Sequence, residues 1–135
     1  MKRIFLDTNF IFDYFIRPEF YEISDEFLRK AALKNYSFYV SYLTVANFAY
    51  ILRKEPKDRM LAQIKKIIAN FNIIPNNKSQ IQKAVEISAP DFEDILQYES
   101  AIENRCDFII TRNEQDFEFS DIPVLSASNF INTYL

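Results

Sequence analysis

The sequence predicts an α/β fold in three layers, a mainly parallel five-stranded sheet with helices on both faces. Three observations carry that expectation. Short apolar runs alternate with longer stretches of helical spacing. The first of these runs is apolar throughout rather than alternating, the mark of a strand buried on both faces. No linker, repeat or low-complexity stretch divides the chain, and 135 residues are enough for one domain, residues 1–135, with a proper core.

Taken in order, the first strand, Arg3–Leu6, ends on Asp7, and Asp7-Thr8-Asn9 leads into a helix over Phe10–Phe15. A helix over Tyr21–Lys34 precedes the strand Phe38–Ser41, and Thr44 is the expected cap of the helix Thr44–Lys54. Pro56 separates that helix from Lys57–Phe71. The strand Asn72–Ile74 and a helix over Ser79–Ala89 follow. Asp91 opens the helix Phe92–Asn104, with Asp94 three residues on in a box-like start. Strands over Phe108–Thr111 and Pro123–Leu125 flank the loop "RNEQDF", and a helix near Ser128–Leu135 closes the chain. Glycine is absent, so Asn35, Asn76 and Asn77 are expected wherever helix ends and turns need left-handed backbone.

Composition excludes whole classes of chemistry. Without His there is no Ser-His-Asp triad, no Cys-His pair and no imidazole zinc site. Without Gly there is no P-loop, dinucleotide fingerprint or nucleophile elbow. The one cysteine, Cys106, makes no intrachain disulfide and reads as a buried, inert thiol. Carboxylates, amides, hydroxyls and basic groups remain, and an oxygen-ligated divalent metal is the natural way for such a set to activate water. The net charge of −3 argues against a broad basic surface, although Arg53, Lys54, Lys57 and Arg59 are grouped at a helix junction. No apolar run is long enough to cross a bilayer and the N-terminus is not a signal peptide, so a cytoplasmic location without membrane contact is expected.

The acidic residues then fall into a pattern. Asp7 follows one strand, Asp116 follows another after a short loop, and Asp94 lies in the first turn of a helix. All three are expected at the same end of the sheet, where open α/β sheets place their sites. Close carboxylates repel one another unless they share a cation, and Mg²⁺ or Mn²⁺ is the expected occupant. The alternative for Asp7 is a plain helix cap.

These residues resemble the PIN-domain nucleases, including the VapC-like toxins of bacterial toxin–antitoxin pairs. "FLDTNFIFDYF" is similar to the family's first strand, Asp-Thr-Asn and short apolar helix, and "SYLTVANFAYILRK" to its second strand and following helix. "DFEDILQYESAIENRCDFIITRNEQDF" is the most specific stretch, and "IPVLSASNFI" resembles the closing strand and helix. The resemblance implies a metal-dependent endoribonuclease in which Asp7, Asp94 and Asp116 hold one or two Mg²⁺ or Mn²⁺ ions. Asn113 stands where the family commonly has an aspartate and Asn47 where it has a glutamate; both would orient water or complete the ligand shell. A subgroup resembling this chain carries the same Asn pattern. Thr8, Asn9 and Thr111 would give supporting hydrogen bonds, Glu93 could compensate for a missing charge, and Arg112 is a candidate phosphate contact or a surface ion pair. An RNA substrate, a small antitoxin docked along "FIFDYFIRPEFYE" and a homodimer are likewise implied.

Two rivals share these residues. A catalytically weak PIN-like domain that binds nucleic acid or protein is motivated by Asn47 and Asn113. An aspartate phosphatase usually wants a second Asp two residues after the first, where this chain has Asn9.

Overall fold

A computed structural model describes all residues, 1–135. Its sheet has five strands, every neighbouring pair parallel, in the order β3-β2-β1-β4-β5. The strands are β1 (Arg3–Leu6), β2 (Ser37–Ser41), β3 (Asn72–Ile74), β4 (Phe108–Ile110) and β5 (Val124–Leu125). The helices are α1 (Thr8–Ile16), α2 (Pro18–Leu33), α3 (Tyr42–Ile51), α4 (Lys57–Asn70), α5 (Lys78–Ala84), α6 (Phe92–Glu103) and α7 (Ala127–Tyr134). The three-layer expectation holds, and the sheet is wholly rather than mainly parallel.

Side chains on the central strands explain the layers. Ile4 and Leu6 point to one face and Phe5 to the other, as the twofold strand period requires. The first face carries fifteen buried residues and is covered by α1, α2, α3, α4 and α7; the second carries seven and is covered mainly by α6. Aromatic edges knit the larger core, with Phe130 5.4 Å from Phe27 and 5.0 Å from Phe108, ring centre to ring centre. Cys106 lies in the smaller core, and burial pushes its thiol up to about 12, so it is inert as expected.

Local expectations fail in instructive places. Thr44 does not cap α3; Ser41 does, accepting from the Thr44 N–H at 3.2 Å. Helix α5 stops at Ala84, five residues short of the expected Ala89. Asn35 takes left-handed backbone (φ 64°), but so does Arg105 (φ 55°), whereas Asn76 and Asn77 do not. Asn77 instead forms a full capping box with Gln80. The loop "RNEQDF" contains a short 3₁₀ turn, Glu114–Phe117.

Candidate active site

Strands β1 and β2 end side by side, and each is followed at once by a helix. Asp7 occupies the cap position of α1 with extended backbone, yet its side chain makes no cap hydrogen bond. Its carboxylate, 3% exposed, accepts from the Thr111 hydroxyl at 3.0 Å. Its depth of burial and its bond to Thr111 go beyond what a plain cap requires. Helix α6 brings Asp94 to the same place. Asp91 caps that helix by accepting from the Glu93 N–H at 2.9 Å, which sets Asp94 in the first turn.

The two aspartates line one cavity of about 320 Å³ together with Thr8, Asn9, Asn47, Asp91 and Glu93. Phe12, Tyr50 and Ile51 form its apolar wall. Glu93 accepts a 2.6 Å hydrogen bond from the Asn47 amide. Burial, opposed by hydrogen bonds and assisted by Glu93, pushes Asp7 up to about 6. Burial and then the charges of Asp7, Asp91, Asp116 and Glu93 push Asp94 up to about 7. All four ion pairs of the fold lie elsewhere, so no Lys or Arg neutralises this acidic pocket.

Asp116 departs from its expected position. It is exposed on the 3₁₀ turn and outside the cavity lining, and no three acidic side chains stand close enough to ligate one ion together. The cause lies in its neighbours. Phe117 anchors the turn in the smaller core, and Glu114 turns toward α7, accepting from the Ser126 N–H and the Asn129 amide at 3.2 and 3.0 Å. Asp116 is left facing outward, where its charge still acts on Asp94. Asn113 also stays outside the lining; its backbone N–H donates to the Thr111 hydroxyl at 3.1 Å, which in turn holds Asp7.

Arg112 is an ion pair. Its guanidinium donates to both oxygens of buried Asp13, at 2.9 and 3.2 Å, and packs 4.2 Å from the Phe20 ring. Arg17 holds the same carboxylate at 3.0 Å.

The residues missed in the sequence are Gln97, Ser41 and Thr44. Gln97 is wholly buried on α6 and bonds Ser41 at 2.6 Å, Thr8 at 2.7 Å and Thr44 at 2.7 Å. This cluster ties α6 to the ends of β1 and β2 and so fixes Asp94 beside Asp7. A signal was available: a glutamine one turn beyond Asp94 in a buried stretch needs polar partners, and hydroxyls follow both strands.

A family model described as PIN domain matches residues 3–115. The chain belongs to the PIN domain family. Ribonuclease VapC1 of Aquifex aeolicus (strain VF5) is 30% identical over 135 residues, covering 96% of this chain and 93% of that protein. Among solved structures, VapBC2 from Rickettsia felis bound to a DNA fragment from their promoter has a TM-score of 0.71 at 18% identity, covering 92% of this chain and 97% of that one. VapBC-1 from nontypeable Haemophilus influenzae has a TM-score of 0.69 at 17% identity, covering 93% and 98%. At these identities the structural likeness establishes the PIN fold, and the carboxylate pocket occupies the carboxyl ends of its central strands.

The donor chemistry of this PIN pocket fits a hard divalent cation. Carboxylates without a cationic partner, neighbouring amides and room for water are what Mg²⁺ or Mn²⁺ accepts. No helix is long and apolar enough to cross a membrane.

Proposed function

We propose that this PIN domain is a metal-dependent endoribonuclease and the toxin of a toxin–antitoxin pair. The observation that carries the reading is the uncompensated pair of Asp7 and Asp94 in a cavity closed on one side by apolar residues. The relative named Ribonuclease VapC1 supports the reaction class, and the VapBC structures support a small protein partner. Asp7 and Asp94 would hold Mg²⁺ or Mn²⁺, with Glu93 and Asn47 at the rim and Asp116 adding charge from outside the cavity.

When bound, the metal supplies a nucleophilic water and neutralises charge on the leaving oxygen. The chain does the rest. Thr111 fixes the Asp7 carboxylate by a donated hydrogen bond, with the Asn113 backbone fixing Thr111 in turn. Asn47 holds Glu93 at the mouth. Phe12, buried at one wall, keeps that side apolar and strengthens the field of the carboxylates. At the junction of α1 and α2, a concavity of about 500 Å³ lined by Tyr14, Phe15, Ile16 and Tyr21 supports docking of the antitoxin.

Cleavage of a mixed RNA pool by purified protein tests the reading. Fragments are expected with Mg²⁺ or Mn²⁺ and none with EDTA. RNA that is bound but never cut in either metal would favour the binding-module reading, which the amides at 47 and 113 and the outward Asp116 motivate.

A further inference from the structure

The buried cluster around Gln97 has a fixed hydrogen count. Gln97 has two amide hydrogens and directs them to Thr8 Oγ1 and Thr44 Oγ1. Its carbonyl accepts from the Ser41 hydroxyl, whose oxygen in turn accepts from the Thr44 N–H. The opposite amide orientation would draw both threonine hydrogens to one oxygen and leave the 2.8 Å contact between Thr8 and Thr44 with no hydrogen in it.

That 2.8 Å contact has one donor. If Thr8 donates, the Thr44 hydrogen is left with Ser41 Oγ, which at 3.5 Å lies beyond the usual reach of an O–H···O bond. Thr44 is wholly buried and has no access to the cavity. If Thr44 donates, every buried group is satisfied. Both acceptor positions of Thr8 are then filled, by Gln97 and Thr44, and its own hydrogen is free. Thr8 lines the acidic cavity beside Asp7.

We infer that Gln97 is a positioning residue that commits the Thr8 hydroxyl to donate into the cavity, to a non-bridging oxygen of the RNA phosphodiester. The inference rests on the ribonuclease reading and names a group that this reading left as support. A phosphate entering a pocket of carboxylates meets repulsion that the metal and neutral donors such as this hydroxyl offset. A hydroxyl free to rotate would spend part of its time as an acceptor facing an anion. The Gln97 amide removes that state.

The test reads binding without turnover: fluorescence anisotropy of a labelled single-stranded RNA in EDTA, with thermal midpoints recorded for every variant. Thr8→Val is expected to weaken binding about tenfold, and Thr8→Ser, which keeps the hydroxyl, to stay within about twofold of wild type. Gln97→Met keeps the volume and removes the amide, and is expected to weaken binding by about threefold to fivefold. In the Thr8→Val background that loss is expected to vanish, because the two act through one hydrogen bond. Thr8→Val binding like wild type overturns the proposal. So does a Gln97→Met loss that persists undiminished in the double variant, which would make Gln97 a strut for α6 alone. Should Gln97→Met not fold, the Val and Ser variants at position 8 decide the matter. Wild type that binds no RNA in EDTA overturns the inference, and wild type that also cuts none with Mn²⁺ overturns the ribonuclease reading with it. Wild type that binds and cuts while Thr8→Val changes neither overturns the inference alone.

Discussion

Asp94→Asn lowers RNA cleavage by at least about 100-fold at saturating Mn²⁺, a loss of about 3 kcal/mol of transition-state stabilisation. The substitution is nearly isosteric and sits in a first turn already capped by Asp91, so the helix start survives it. What disappears is one of the four carboxylates lining the cavity, the one whose strongest charged neighbour is Asp7. Glu93 is adjacent but is engaged with Asn47, and Asp116 stands outside the lining, so neither replaces it. Asp25→Asn, which breaks only a surface pair with Arg29, serves as the control and is expected to cut RNA at the wild-type rate. Asp94→Asn retaining more than about a tenth of wild-type cleavage would sink the assignment.

Asp7→Asn makes the metal-free protein more stable at pH 8 by up to about 3 kcal/mol, the worth of the difference between about 6 and the ordinary 3.8. The sign follows from proton uptake. Between pH 4 and 6 the folded chain keeps a proton on Asp7 that the unfolded chain has already released. Stability is therefore greatest below pH 4 as far as this group is concerned, and it falls as the pH rises through 6. Asp94 acts in the same direction and extends the fall to about pH 7, with its share reduced by solvent screening. Asparagine removes the cost of ionising a buried acid while keeping an oxygen for Thr111. Urea unfolding in EDTA at two pH values checks this: a gain at pH 8 that nearly closes near pH 4 is expected. An equal difference at both, or none, would mean that Asp7 is not held as a strained, metal-seeking acid. A group poised in this way gives up stability in return for function, which fits a buried acid that pairs with no base.

The chain's periodicity was legible where burial is simple. Wholly apolar runs such as "IFL" and "FII" could only be interior strands, and both appear at the centre of the sheet. The carboxylate pair was legible too, because Asp7 follows a parallel strand and Asp94 opens a helix that starts at the same edge. Asp116 was not. Its direction depends on Phe117 burying and Glu114 bonding to the start of α7, and that competition is invisible in the spacing of acids. Arg112 was undecided for a similar reason, since its partner, Asp13, lies 99 positions away. Gln97 was overlooked because a glutamine on a helix is usually solvated, and only the meeting of three chain segments makes it the hub of a buried network. Ser41 displaced Thr44 as a cap because β2 runs directly into α3 with no intervening loop, so the cap is the last strand residue.

The central claim is that Asp7 and Asp94 together hold a divalent ion. Calorimetric titration of Mn²⁺ into the purified protein at pH 8 tests it most directly, because it reads the ion without assuming a substrate. Saturable binding that is lost in both Asp7→Asn and Asp94→Asn is the predicted result. Binding that survives both substitutions, or a wild-type protein that takes up no Mn²⁺ and still cuts RNA in EDTA, would contradict it.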